Sequence, residues 1–285
     1  MSKRNLLNLF LLLFVVLLVV LVIFEPGKEE AIIPNTLTNL KPDNIQHIRI
    51  KRQNESAIEL FKNENGWQMS QPYQQSANAF RIASILKLLN AISLSQNSLA
   101  NLNLFEFGLK KPLATITFNN DISIEFGHNK SLNHHRYVKI GHTLHLIADT
   151  FYYQLAANSE SFINHKLLPE KSKIKKLILP TVELEQIDEK WAVTPKNDFS
   201  ADAINQLIDE WQLSQAYDIA IDKKSNPLNA DVKIYFKKRS PLFFNISKGQ
   251  NSFNLTNVEN GIRYILSSDR EDKLLKIYPT IDDNE

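Results

Sequence analysis

The hydrophobic spacing of this chain passes through the same order twice, about 120 residues apart. Each pass begins with apolar residues at every second position, the pattern of half-buried strands. It then changes to the i, i+3, i+4, i+7 spacing of a helix packed on a core. The first helical stripe starts at Ile82 and the second at Ile204, 122 residues later. Alternation resumes after each helix, so the order predicts two similar units built as strands, helix, strands.

The strands that lead into the two helices also match. A Trp-x-apolar strand that ends near a proline precedes each helix, at Trp67 and again at Trp191. This shared feature argues against two α+β patterns arising by chance. We therefore predict an α+β fold with two β-rich lobes, over residues 45–169 and 170–280, that arose by duplication.

An apolar run from Leu6 to Phe24 precedes both lobes. At 1.5 Å rise per residue, a helix of these 19 residues just crosses a bilayer core of about 30 Å. A cleaved secretory signal is the alternative, but its apolar stretch is normally shorter and ends in a small-x-small site, and no Ala-x-Ala precedes Glu25. The run predicts an N-terminal transmembrane anchor.

The charges that flank the run predict its orientation. Lys3 and Arg4 precede it, whereas Glu25, Glu29 and Glu30 follow it. The positive-inside rule keeps such an N-terminus in the cytoplasm and sends the rest of the chain across the membrane. The expected location is the bacterial inner membrane, single-pass, with most of the chain periplasmic.

The remaining segments complete the predicted organisation. Residues 1–5 form the cytoplasmic N-terminus, 25–44 a linker, and 281–285 a frayed acidic tail. The chain has no cysteine, which excludes both lipoprotein processing and disulfide stabilisation. With 33 basic and 31 acidic residues the net charge is +2, so no strong field favours nucleic acid.

Histidines are the one unusual concentration of potential metal ligands. Five of the seven lie within 18 residues: His128, His134, His135, His142 and His145. Their spacing is unfavourable, because neighbours on an extended chain point to opposite faces, and no Cys, Asp or Glu lies between the first and the last. Histidines of a polar hairpin are the better interpretation, and we predict no metal site and no cofactor.

Catalytic motifs are weak. Ser84-x-x-Lys87 and Ser172-x-x-Lys175 match the nucleophile pattern of penicillin-recognising enzymes, but the companion motifs are missing from the sequence. Phosphate-cradling loops are improbable with only seven glycines. We predict no catalytic residue.

Two further segments are candidates for binding. Phe107-Gly108-Leu109 could contact a partner, although a turn anchored by Phe107 and Leu109 in the core is favoured. The basic run at Lys171, Lys173, Lys175 and Lys176 could bind a membrane surface, although a solvated strand or linker face is the more ordinary interpretation.

The order of several short segments resembles the bacterial family known as domain of unknown function 4340. The similarity begins with the apolar run, Trp67 through Pro72 and Leu88-Leu89. It continues through Phe107-Gly108-Leu109 before Pro112, Phe126-Gly127, Arg136-Tyr137-Val138 and Leu167-Leu168-Pro169. It covers most of residues 45–180. The resemblance implies an envelope-anchored protein, often associated with ATP-binding-cassette transport systems including those of gliding motility. It implies no known activity, cofactor or functional residue.

Three classes of function fit these features. The first is a non-enzymatic partner or scaffold subunit of an inner-membrane complex, with a membrane protein such as a transporter permease as partner. The second is a periplasmic binding protein for a glycan or small ligand, which a deep aromatic-lined cleft between the lobes would support. The third is an envelope hydrolase with a non-standard site, which perturbed carboxylates or histidines in a pocket would support.

Overall fold

The computed structural model describes residues 3–24, 35–130 and 134–278. Its first helix, α1 (Lys3–Phe24), covers the apolar run, and the described side chains along it are exposed, Phe10 by 69%. Two predicted segments lie outside the described residues. They are 25–34 of the linker, which includes Glu25, Glu29 and Glu30, and the tail 281–285. Of the helices in the described ranges, none meets the combined length and hydropathy of a membrane span.

The first sheet contains nine antiparallel strands. They are β1 (His47–Arg52), β2 (Ile58–Asn63), β3 (Gly66–Gln71), β4 (Gln75–Ser76), β5 (Ser95–Ser98), β6 (Ala114–Phe118), β7 (Ile122–Lys130), β8 (His135–Ile140) and β9 (Thr143–Ala148). Their order across the sheet is β4-β3-β2-β1-β6-β7-β8-β9-β5. The turn from β2 to β3 is tight because Gly66, at φ +91°, occupies backbone space that other residues rarely adopt.

The second sheet contains eight antiparallel strands. They are β10 (Ile174–Ile178), β11 (Glu183–Ile187), β12 (Lys190–Thr194), β13 (Asp218–Ile221), β14 (Val232–Phe236), β15 (Leu242–Lys248), β16 (Ser252–Asn257) and β17 (Ile262–Ser267). Their order is β12-β11-β10-β14-β15-β16-β17-β13.

The two sheets share one strand order. Strands β12, β11 and β10 correspond to β3, β2 and β1. Strands β14, β15, β16, β17 and β13 then correspond to β6, β7, β8, β9 and β5, and only β4 has no counterpart. Strands β3 and β12 each lead into a proline with a cis peptide bond, at Pro72 and Pro195. The α+β class with two β-rich units is confirmed, and the division at residue 169 stays a prediction.

The longer helices lie at corresponding points of the two units. They are α2 (Ala79–Leu86) and α4 (Ala201–Leu213), and the short helices α3 (Thr150–Leu155) and α5 (Arg270–Leu275) follow the last strand pairs. Asn78 caps α2 by accepting from the backbone N–H of Arg81, and Ser200 caps α4 by accepting from that of Ala203. Single 3-10 turns occur at Pro42–Asn44, Lys87–Asn90, Leu99–Asn101, Ser159–Phe162 and Pro227–Asn229.

One continuous apolar core joins helices α2 to α5 to both sheets. The predicted helical stripes lie in it: Ile82, Ile85 and Leu89 with partly buried Leu86, and Ile204, Leu207, Ile208 and Trp211. Trp211 is fully buried, and its indole N–H donates to the carbonyl of Leu274 at 2.8 Å. Trp67 and Trp191 are only partly buried and pack against the edge of the core.

Residues 35–44, which sequence patterning assigns to the linker, pack on the first lobe. Leu37 is buried, and its N–H donates to Ala91 O at 2.7 Å. Thr38 donates its N–H to Leu89 O at 3.0 Å. The chain therefore joins the first core before β1 begins.

Candidate functional site

The clustered histidines lie at different depths on strands β7 to β9 and their turns. His128, His134 and His142 are exposed, His135 is half-buried and His145 is buried. Over the described ranges, no three His, Cys, Asp or Glu side chains are grouped so that they could hold a metal ion.

Buried His145 forms a polar pair with Ser93. Its Nδ1 lies 2.9 Å from Ser93 Oγ, and that hydroxyl donates to Ser95 O at 3.1 Å. Because the hydroxyl proton goes to Ser95, we assign Nδ1 as the donor toward Oγ. This is the reverse of a nucleophile–base pair, in which the imidazole accepts the hydroxyl proton. Burial lowers the pKa of His145, so the neutral ring is favoured.

The two Ser-x-x-Lys matches hold their hydroxyls against the backbone. Ser84 Oγ donates to Phe80 O at 3.0 Å, one turn earlier in α2. Ser172 Oγ donates to Pro169 O and accepts from Arg239 Nη1 at 2.9 Å. Both serines thus serve local structure in this conformation.

The Phe107-Gly108-Leu109 turn docks on a bulge in β7. Phe107 O accepts from His128 N–H at 2.8 Å, and a side chain at Gly127 would come within 2.1 Å of that carbonyl. Gly108 has φ +69°, and a side chain there would come within 2.4 Å of the His128 ring. Leu109 is buried and Phe107 half-buried, so this segment is anchored in the fold as its favoured interpretation predicts.

A buried ion pair lies next to this turn. The side chains of Arg136 and Asp149 are only 7% and 6% exposed and form a bidentate ion pair. Arg136 Nε donates to Asp149 Oδ1, and Nη2 donates to Oδ2 at 3.3 Å. Arg136 also donates from Nη1 to Gly127 O at 2.6 Å and stacks on the Tyr152 ring, 3.8 Å from its centroid. Every charge of the pair is satisfied internally, so its contacts tie β7, β8 and α3 together.

The connection between the lobes is hydrogen-bonded to both of them. On one side, Asn164 N donates to Ser76 O at 2.8 Å. On the other, Leu167 N donates to Ser214 O at 3.2 Å, and Ala216 N donates to His165 O at 2.9 Å. Residues 162–167 therefore act as a shared strand-like segment between the first sheet and the end of α4.

A small cavity of about 110 Å³ lies beside this connection. Its lining is mixed: Gln75, Ser76, Ile163, Asn164, Lys166, Leu167, Leu168, Pro169, Leu242, Asn257, Asn260 and Tyr264. Tyr264 is the sole aromatic residue in that lining. Ligand pockets usually measure about 300–1,000 Å³, so this space does not resemble the deep aromatic-lined cleft that a ligand-binding protein would need.

Larger depressions lie on the surface around the end of the connection, and we call them together the junction surface. A basic groove of about 450 Å³ is lined by Glu170, Lys171, Ser172, Lys173, Phe236, Lys237, Lys238 and Arg239. A middle depression of about 330 Å³ is lined by Lys166, Leu168, Pro169, Glu170, Lys171, Ser172, Gln212 and Leu213. An acidic groove of about 430 Å³ is lined by Asp202, Asn205, Gln206, Asp209, Glu210, Leu213, Ser214 and Arg270. The three depressions are continuous, because the middle one shares Glu170, Lys171 and Ser172 with the basic groove and Leu213 with the acidic groove.

Ion pairs organise the charges of the junction surface. Lys166 Nζ donates to Glu170 Oε1 at 2.7 Å, and this hydrogen bond lowers the pKa of the Glu170 carboxyl. Arg270 Nη1 lies 2.7 Å from Glu210 Oε2 across the acidic groove. Between these pairs, Leu213 is 75% exposed. The result is a bipolar surface with an apolar residue between its two signs.

Two features of these sites escape sequence patterning. Asp149 lies 13 residues after Arg136, too far for a local pattern to pair them. Lys237, Lys238 and Arg239 lie about 65 residues after the first basic run, and only the pairing of β10 with β14 brings the two runs together. Three consecutive cations at the end of a strand are the one signal that sequence offers for the second run.

A protein-family model matches more than half of the chain. The sequence model of the domain of unknown function (DUF4340) matches residues 67–231, which include parts of both sheets. No curated protein and no solved structure matches the chain.

We expect the Arg136–Asp149 pair to be strongly coupled. Asp149→Ala leaves a buried guanidinium without its partner and should lower the free energy of unfolding by about 3–5 kcal/mol. The double replacement Arg136→Met with Asp149→Leu should recover most of that loss. Urea unfolding of the full chain in detergent measures both, with Glu125→Ala as control, because the partly exposed Glu125–Lys139 pair should contribute only about 0–1 kcal/mol. Equal losses for Asp149→Ala and Glu125→Ala would contradict a buried, coupled pair.

We also expect His145 to make stability depend on pH. Its folded pKa is lowered, so the unfolded chain binds more protons as pH falls below the ordinary value of 6.5. Stability is therefore full above that pH and decreases below it, with a slope of at most about 1.4 kcal/mol per pH unit. His145→Gln should flatten the thermal-unfolding profile between neutral pH and pH 5, whereas His142→Gln, at an exposed position, should not. An unchanged slope in His145→Gln would refute this assignment.

Proposed function

Because this chain belongs to the family of the domain of unknown function DUF4340, whose description names no activity, we propose its function from its own surfaces. We propose a non-enzymatic partner or scaffold subunit, anchored in the inner membrane, with its lobes in the periplasm. It is accessory to a transport or envelope complex of the ATP-binding-cassette type, and its partner is a membrane protein such as a transporter permease.

The junction surface is the observation that carries this proposal. It joins a basic and an acidic groove through a region that exposes Leu213. Opposite charges arranged around an apolar residue favour docking of another protein, because complementary potentials orient the partner while apolar contact adds affinity. The hydroxyls of Ser84, Ser93 and Ser172 are hydrogen-bonded to backbone carbonyls, which favours binding over nucleophilic chemistry.

Helix α1 supports the membrane location. Its described side chains are apolar from Leu9 to Val20, and all of them are exposed. A helix that is apolar on every side is stable only when lipid or protein covers it. Together with Lys3 and Arg4 before it, the run Leu6 to Phe24 supports a single-pass anchor with a cytoplasmic N-terminus.

A reporter fusion tests the proposed orientation. A reporter enzyme that folds only in the periplasm, fused after Glu285, should be active, and the protein should resist alkaline extraction from membranes. The matched fusion carries a reporter that works only in the cytoplasm and should be inactive. Activity of the cytoplasmic reporter would overturn the orientation.

Crosslinking tests the partner function. The full chain, crosslinked in cells and purified in mild detergent, should recover one discrete membrane protein. Replacing Leu6–Phe24 by an unrelated membrane span should preserve this association, because the lobes provide recognition and the anchor mainly provides proximity.

Two outcomes would contradict partner recognition by the lobes. One is recovery of the chain without any partner, together with turnover of an envelope substrate by the purified protein. The other is loss of the partner on exchange of the span, which would assign recognition to the membrane helix instead of the lobes.

A further inference from the structure

Two basic segments that are distant in sequence form the walls of one groove. Residues 171–173 lie just before β10, and residues 237–239 just after β14. The sheet ladder continues between them, since Lys237 N donates to Lys173 O at 3.0 Å. Cationic side chains therefore line the groove on both sides, with Phe236 between them.

The charge of this groove is largely uncompensated by the protein. Over the described ranges, no carboxylate forms an ion pair with Lys171, Lys173, Lys237 or Lys238, which are all exposed. Glu170 is the acidic residue of the lining. Its carboxylate pairs with Lys166 from the neighbouring depression and interacts more weakly with Lys171.

A nearby lysine shows the contrasting arrangement. Lys176, from the same basic run, lies 2.5 Å from Glu183 Oε1 and 3.1 Å from Glu185 Oε2. These hydrogen bonds raise the pKa of Lys176. Within this basic run, carboxylates on the sheet therefore neutralise Lys176, whereas Lys171 and Lys173 keep charges at the groove that no carboxylate of the described ranges pairs with.

One side of the groove is held in place by side-chain contacts. Arg239 Nη1 donates to Ser172 Oγ at 2.9 Å, which links the two walls. Ser172 is itself fixed through Pro169 O, at the end of the connection between the lobes. The Arg239 guanidinium is therefore partly ordered before any ligand arrives, which lowers the entropy cost of binding.

We propose that the basic groove binds an extended acidic segment of a partner protein. Like charges that the fold brings together repel one another, and an anionic ligand relieves that repulsion. The groove is concave and cationic on both walls, which fits a narrow chain with carboxylates on either side better than a flat bilayer surface. Extended chain advances about 3.3 Å per residue, so side chains on its two faces can reach both walls.

This inference deepens the proposed function and rests on it, since it assigns the chemistry by which the lobes recognise the partner. It also predicts which part of the junction surface makes the contact. The acidic groove on α4 is not required for this binding.

Fluorescence anisotropy of a labelled octaglutamate peptide tests the proposal with the full chain in neutral detergent micelles. We expect saturable binding that weakens as salt rises, because exposed charges are screened. Lys237→Glu with Lys238→Glu should weaken binding at least about tenfold, since two attractions become repulsions. The matched control is Lys223→Glu with Lys224→Glu, an exposed pair on the same lobe outside the groove, which should change affinity less than about twofold.

Other results would overturn the proposal. Equal loss in the two double variants would mean that only net charge matters. Displacement of octaglutamate by phosphatidylglycerol mixed into the micelles, but not by phosphatidylcholine, would assign the groove to lipid headgroups. Displacement by inorganic phosphate at constant ionic strength would assign it to small anions.

Crosslinking with the Lys237→Glu, Lys238→Glu variant separates this inference from the proposed function. Loss of the partner from this variant alone supports the groove as its docking site. If the partner is still recovered, the groove inference is wrong while the partner function stands. If the native chain recovers no partner, the proposed function itself fails.

Discussion

The burial of apolar sheet faces beneath helices is the constraint on which the rest of this structure depends. The chain has no cysteine, so no disulfide can hold its lobes. Strands β6 and β14, at corresponding positions, bury every second residue, and the stripes of α2 and α4 lie in the same core. Each fully buried large apolar side chain contributes about 1.5–3 kcal/mol. The charged surfaces depend on this frame, because the pairing of β10 with β14 positions both walls of the basic groove.

Sequence periodicity predicts the elements that carry a strong apolar signal. The stripe from Ile82 and the stripe from Ile204 identify α2 and α4, which Asn78 and Ser200 cap in the structure. Strand β5 has the sequence Ser-Gln-Asn-Ser and is exposed throughout, so alternation cannot reveal it. Helices α3 and α5 have only six residues each, too few for a repeating stripe.

The candidate sites are harder to predict, because burial depth and strand pairing decide which side chains meet. The density of histidines draws attention to residues 128–145, yet those side chains lie at different depths. The Arg136–Asp149 pair and the two walls of the basic groove depend on strand pairing, which sequence alone leaves open. The lobes share a topology but differ in chemistry: the first contains the buried ion pair, and the second supplies most of the junction surface. One architecture thus supports an internally satisfied lobe and a lobe with exposed charge.

The position of β5 and β13 has a consequence for how each lobe folds. Both strands precede four other strands of their own sheet in sequence but occupy its far edge, where β5 pairs with β9 and β13 with β17. Their partners follow about 50 residues later, as in Ser95 with Leu146 and Asp218 with Ile265. Contacts of such high sequence separation slow folding, because a long loop must close before they form. During synthesis, β5 emerges before its partner β9, and its length of only four residues limits pairing with another chain in that interval. Each sheet is complete only when its last hairpin has emerged.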